Sequence, residues 1–169
     1  MAQTNIFSAG YAKRVLDVIT NNGTLTSPTA LYLALLTTVP TRDDGNVGVA
    51  GEFVEFTSYE NLNNSDGLGP GSYRPKIAFP AVSITAGTGA QTFQSTKNSA
   101  AVSYTISPGV TTTVINGIAV VTANSKSTTL TFGSGGNVVW FGDVNSPAPS
   151  VIAGNTLTFA IDQIEIKLF

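Results

Sequence analysis

Three runs near the end of the chain decide its fold class: Gly136-Asn137-Val138-Val139-Trp140-Phe141-Gly142, Gly154-Asn155-Thr156-Leu157-Thr158-Phe159 and Ile164-Glu165-Ile166-Lys167-Leu168-Phe169. Each is short, apolar or alternating, and opened by turn-forming residues. Positions 164 to 168 alternate Ile, Glu, Ile, Lys, Leu, which sets three aliphatic side chains on one face of a strand and two charges on the other. A half-buried strand therefore closes a β-rich core. Trp140 and Phe141 are neighbours on one strand and must point to opposite faces. One enters a core, and the other needs a second cover, for which an assembly interface is the simplest candidate.

Working back from there, strand signals recur at residues 74–79, 91–94, 100–106, 113–123, 128–132, 137–144, 156–161 and 164–168, rich in Val, Ile, Thr and Phe and bounded by Gly, Pro, Asn or Ser. Many short strands with regular turn signals predict a mainly β fold, a single β-sandwich of jelly-roll-like form, rather than βαβ units. Ala30 to Thr38 is apolar throughout, as a strand buried on both faces would be, and Pro40 stops it. No fixed repeat is present, which argues against a solenoid or a β-helical shaft.

One α-helix is expected, over residues 6–20. Phe7, Tyr11, Val15, Val18 and Ile19 fall on one stripe, Thr4 or Asn5 is placed to cap its start, and Asn21-Asn22-Gly23 to end it. Its stripe either covers the sheet of its own subunit or faces a neighbour. Residues 41–71 read as a long loop excursion with one short hairpin arm, where Glu52-Phe53-Val54-Glu55-Phe56 alternates. Loops of that length in compact domains are functional or are ordered by contact; contact with a neighbouring subunit is the first reading here and an ordinary mobile surface loop the second. The whole of residues 1–169 is read as one domain.

Composition narrows the function. The 169 residues are 42% apolar but only 11% charged, well under the roughly 25% of an average soluble domain. A surface of Thr, Ser, Asn and Gly suits a subunit held in a larger assembly, and also a neutral secreted-type β domain. Eight basic against ten acidic residues, with no basic cluster, argue against nucleic acid as a partner. No apolar run is long enough for a spanning helix, so no membrane is expected. The first residues lack the basic and apolar regions of a cleavable signal, which predicts synthesis in a cytoplasm.

There is neither Cys nor His. Disulfides, thiolate metal sites and histidine-based nucleophile arrangements are thereby excluded. Acidic residues Asp43, Asp44, Glu52, Glu55, Glu60, Asp66, Asp143, Asp162 and Glu165 are the remaining source of catalysis, through a carboxylate pair of the glycosidase kind. Solvated loop carboxylates are the commoner reading, and no catalytic, cofactor-binding or metal-ligating residue is expected. The oxygen-rich runs 42–46 and 63–67 lack the distal Glu of a calcium loop and read as turns.

The order Leu31-Tyr32-Leu33-Ala34-Leu35-Leu36-Thr37-Thr38-Val39-Pro40-Thr41, Gly71-Ser72-Tyr73-Arg74, Gly136 to Gly142 and Val151-Ile152-Ala153-Gly154-Asn155-Thr156-Leu157 resembles a family of small bacteriophage virion structural proteins of tail-fibre-like type. In that family an N-terminal helix leads into an apolar strand ending in Thr and Pro, and the chain finishes on a Gly-Asn-led hairpin and a short alternating strand. The match departs in the middle, where Val110 to Ala123 lacks the family's Trp-Gly pair.

The resemblance implies a non-enzymatic, self-associating subunit on the virion exterior, at the tail or fibre base. Its partners would be copies of itself, as a homo-oligomer such as a trimer, and other virion proteins. A capsid decoration or cement protein is the first alternative. A carbohydrate-binding module for a host surface glycan is the second, and would use exposed aromatics such as Tyr59 or Tyr73.

Overall fold

A computed structural model describes residues 6–7, 16, 18–20, 28–39, 53–61, 73–81, 94–126, 130, 137–144 and 147–168. The fold is mainly β, in several antiparallel sheets. The strands are β1 (Ile6–Phe7), β2 (Leu31–Thr38), β3 (Val54–Glu55), β4 (Tyr59–Asn61), β5 (Lys76–Ile77), β6 (Gln94–Lys97) and β7 (Val102–Ile106). They continue with β8 (Thr113–Val114), β9 (Gly117–Val121), β10 (Val138–Asp143), β11 (Ser150–Val151), β12 (Thr156–Phe159) and β13 (Glu165–Leu168). The largest sheet runs β1-β10-β9-β2-β3, with β5 also on β2; β12-β7-β4 form a second sheet, and β11-β8 and β13-β6 are pairs.

The centre of the large sheet is covered on both faces. Leu33 and Leu35 of β2, with Ile118 and Val120 of β9, join Val102, Tyr104 and Ile106 of β7 in one cluster. Ala34 and Leu36, with Ala119 and Val121, join Phe141 and Leu130 in another. This explains why β2 and β9 read as unbroken apolar runs: both sets of alternating side chains are buried, each aliphatic one worth about 1.5–3 kcal/mol. By contrast β7 alternates, with Val102, Tyr104 and Ile106 buried and Ser103 and Thr105 only half-buried, as a strand with one core face does. The Tyr104 hydroxyl spans the two sheets, donating to the Leu33 carbonyl at 3.0 Å.

Trp140 and Phe141 do fall in opposite clusters. Strict alternation would then put Val138 with Trp140, yet Val138 lies with Phe141 and Val139 with Trp140. A register shift between Val138 and Trp140 against β9 is the cause: a bulge moves one side chain to the other face.

Several expectations need correction. Residues 6–7, assigned to the helix, are strand β1, paired antiparallel with Phe141 and Trp140; the edge of β10 supplies backbone partners that local periodicity does not register. The described helical residues are 16 and 18–20, and there Leu16 and Ile19 are 59% and 75% exposed. The rest of the 8–15 stripe, and the caps at Thr4, Asn5 and 21–23, lie outside the described residues.

Of the 41–71 excursion only residues 53–61 are described, and there the alternating arm does not pair with itself. β3 pairs with β2 and β4 with β7, so this segment feeds two different sheets, drawn in by buried Phe56 and Tyr59. The single strand expected over 113–123 is two. β8 leaves to pair with β11, and Asn116 marks the crossing, its backbone N–H and side-chain amide donating to the Leu36 and Thr37 carbonyls at 2.9 and 2.7 Å. Gly117 follows because a Cβ there would run into Val39 and stand 2.8 Å from the Gly142 carbonyl oxygen. Of the strand expected at 91–94 only Gln94 is described; it opens β6, which runs on to Lys97, and Lys97 to Gln94 pair with Glu165 to Leu168. The run 128–132 lies outside the described residues except for Leu130, which is buried.

Candidate functional site

Among the described residues, a cleft lies where four segments meet. The end of β10 brings Trp140, Asp143 and, just beyond it, Val144; the loop before β11 brings Pro147 and Pro149. The end of β12 contributes Thr158 and Phe159, and the turn into β13 contributes Gln163, Ile164 and Glu165. Together with Ile118 they line a cleft of about 370 Å³, within the usual size range of small-molecule sites.

The turn is held from beneath by Asn98, which is fully buried. Its Oδ1 accepts from the Ile164 N–H at 2.8 Å, and its Nδ2 donates to the Ala100 and Ala160 carbonyls, both at 2.8 Å. A side chain with both amide N–H donors and its carbonyl oxygen engaged is a rigid brace. Asp162 sits at φ 66°, a left-handed position that Asp tolerates better than most residues. Gln163 then folds back so that its Oε1 accepts from the Ala160 N–H at 2.7 Å.

Two carboxylates flagged in the sequence, Asp143 and Glu165, thus share one cleft. The others disperse. Glu60 and Asp162 are exposed, while Asp43, Asp44, Glu52 and Asp66, with both oxygen-rich runs, lie outside the described residues. Glu55 is committed to an ion pair. Among the described residues no group of three or more acidic, His or Cys side chains is placed to hold a metal ion, and no helix is long and apolar enough to cross a membrane.

That ion pair anchors a second polar cluster, under the β3–β4 segment. Arg74, 1% exposed, donates from Nε and Nη2 to the two Glu55 oxygens at 2.8 and 2.7 Å, and from Nη1 to the Ala123 carbonyl at 2.7 Å. Burial pushes the Glu55 carboxyl above its ordinary value, while the hydrogen bond and charge of Arg74, then Lys126, pull it back. Lys126 Nζ stands 4.3 Å from the Tyr59 ring centre and donates to the Thr57 and Tyr59 carbonyls at 3.1 and 2.5 Å. Burial holds its ammonium below the usual lysine value, with Glu55 and Glu60 opposing. Glu55 and Arg74 pair with each other and the half-buried Lys126 donates to backbone carbonyls, which makes the cluster a tie between segments.

Tyr59 is therefore not a surface aromatic. It is 1% exposed and packs edge-on against Tyr104 at 4.7 Å between ring centres, while its neighbours Ser58 and Glu60 are exposed. Tyr73 is half-buried beside Ser125, with which it forms a lone antiparallel bridge. The expected glycan contacts at these two tyrosines do not form an exposed aromatic platform. Sequence reasoning had Trp140, Asp143 and Glu165 but not the brace: a lone Asn before a Ser carries no signal of burial.

No curated protein matches the chain significantly. A family model described as "Podophage GP4 fiber I protein gp80" matches residues 7–167, a range that takes in every quoted stretch of the tail-fibre-like resemblance and nearly every strand from β1 to β13. On this match across almost its whole length, the chain belongs to the family of the podophage GP4 fiber I protein gp80.

Proposed function

We propose that this chain is a non-enzymatic structural subunit of a bacteriophage particle, located at the tail or fibre base, made in the host cytoplasm during infection and incorporated by self-association. The family match carries this reading. The composition agrees with it: with 11% charged residues, charge repulsion contributes little to keeping copies apart. Residues 1–169 act as one domain, since the main core cluster draws on side chains from Leu33 to Ile164.

Exposed apolar side chains give self-association a physical basis. Leu16 and Ile19 stand out from the helical turn, and Val114 and Ile152 from the β8–β11 pair. Repetition around a symmetric ring multiplies a modest contact of this kind.

Two experiments test the reading. Immunogold electron microscopy of purified particles, with antibody to the recombinant chain, is expected to label the tail or its appendages; gold over the head would instead make it a decoration protein. Light scattering after size exclusion is expected to give a multiple of 17.5 kDa. A monomer at every concentration, alone and with purified tail proteins, would remove self-association.

A further inference from the structure

We infer, building on the self-association proposed above, that a second copy of this chain pairs with the free edge of β12, strand against strand, about a two-fold axis. Among the described residues β12 ends its sheet, with β7 on one side and no strand on the other. Ile106 of β7 donates to the Asn155 carbonyl and accepts from the Gly154 N–H, while the Ser107 N–H donates to Ser58 on the β4 side. By alternation, the main-chain groups of Tyr104 and Val102 also turn toward β12, and those of Ser103 and Thr105 turn away. Leu157 and Phe159, opposite Tyr104 and Val102, therefore hold the bonds to β7, and Thr156 and Thr158 turn their N–H and C=O groups outward. Both threonines are exposed, and neither has a main-chain partner on that side among the described residues. A row of donors and acceptors at strand spacing fits one class of ligand, another extended backbone.

The make-up of the strand selects a second copy as the partner. Edge strands are ordinarily kept from pairing by charge, Pro or brevity. The other strands that end their sheets follow this: β3, β4, β5 and β6 carry Glu55, Glu60, Lys76 and Lys97, β13 carries Glu165 and Lys167, and β1, β8 and β11 are two residues each. β12, Thr156–Phe159, has neither charge nor Pro, and Thr158 lines the cleft, so open space adjoins it. A charged edge would oppose like charges across a two-fold axis, whereas this one meets itself without repulsion. With the axis at Leu157, Thr156 stands opposite Thr158 of the partner subunit and the reverse, so each outward N–H and C=O finds its complement. β-Branched residues suit such facing positions. The same register carries Ile161, 57% exposed, toward Ile152 of the partner subunit, a residue 44% exposed, which adds an apolar contact at each end of the ladder.

Mass and amide exchange read this pairing together. The full-length chain is followed from low to high concentration by sedimentation velocity and by hydrogen exchange. The Thr156 and Thr158 amides are expected to gain protection as the dimer forms, while those of Leu157 and Phe159, bonded to β7, stay protected throughout. Thr158→Pro removes one outward N–H from each copy and no bond to β7. It is expected to weaken association about a hundredfold, roughly tenfold for each hydrogen bond lost. Thr158→Lys, which charges the edge, is expected to weaken it as well, and decides the matter if the proline variant does not fold. Ser103→Ala, which removes only the side-chain bond to Thr158 at 2.9 Å, should leave association unchanged. Association that persists in both Thr158 variants, with the Thr156 and Thr158 amides exchanging freely, overturns the β12 interface and leaves self-association to another surface. A chain that is monomeric at every concentration overturns both. Protection of these two amides only on addition of purified tail proteins overturns the second copy in favour of a strand from another protein.

Discussion

Arg74 grips both carboxylate oxygens of Glu55, through Nε at 2.8 Å and Nη2 at 2.7 Å. The two residues lie on segments 19 positions apart, and the pair fastens the approach to β5 onto β3 at the edge of the large sheet. Removing one partner strands the other charge in a dry site. Arg74→Ala is therefore expected to cost about 3–5 kcal/mol in urea unfolding. The double variant Arg74→Met with Glu55→Leu should cost less than the two single changes summed, because no buried charge remains. Strict additivity would show that the pair is not coupled.

Two buried tyrosines in edge contact should respond oppositely to loss of their hydroxyl. The Tyr59 hydroxyl is buried with no hydrogen-bond partner, whereas that of Tyr104 donates to Leu33. Tyr59→Phe is expected to leave stability unchanged or raise it by up to about 1 kcal/mol, and Tyr104→Phe to lower it by about 1 kcal/mol. Chemical denaturation of the two variants side by side checks this, and equal losses would contradict it.

The same tyrosines set an alkaline limit. Burial raises both hydroxyls above tyrosine's ordinary value, Glu55 adding to the shift at Tyr59, and Tyr59 and then Glu55 adding to it at Tyr104. Their folded-state values exceed the unfolded ones, so the stability they confer is whole below about pH 10 and is lost as pH rises beyond it, by up to about 1.4 kcal/mol per pH unit for each. Unfolding midpoints measured between about pH 9 and 11 should fall, and tyrosinate absorbance should appear together with unfolding. Titration of all tyrosines before any loss of structure would refute the burial argument.

Asn98 ties β6 to the turn that forms one wall of the cleft. Asn98→Ala removes the acceptor of the Ile164 N–H and a donor to the Ala100 and Ala160 carbonyls, the last keeping the Gln163 N–H at 3.3 Å, at an expected cost of about 3 kcal/mol. Hydrogen exchange at the Ile164 amide should accelerate more than exchange at the β2 and β9 amides. Uniform acceleration would mean that Asn98 supports the whole fold and not the turn alone.

Gly117 tests the closest approach in the large sheet. Gly117→Ala drives a methyl group into Val39 and toward the Gly142 carbonyl, and is expected to cost about 1–3 kcal/mol. Gly109, at φ 85° with open space around it, should lose about 1–2 kcal/mol on substitution by Ala, from backbone strain alone. Relief of the Gly117→Ala loss by a second change, Val39→Ala, would confirm the steric cause.

The amino-acid sequence by itself determined the β class, the doubly buried strand at 31–38, the opposed faces of Trp140 and Phe141, and the family, because each is written in local periodicity or in a colinear order of motifs. Absence of Cys and His removed whole chemistries for the same reason: composition needs no geometry. Pairing partners were decided only in three dimensions. Ile6–Phe7 became a strand because β10 had an open edge, residues 53–61 served two sheets because Phe56 and Tyr59 were drawn into the core, and Val138 changed faces because of one bulge. The cleft belongs to that second kind. Asp143, Gln163 and Glu165 come together only where the end of β10 meets the turn into β13, and a contact between residues about twenty positions apart leaves no period in the chain that makes it.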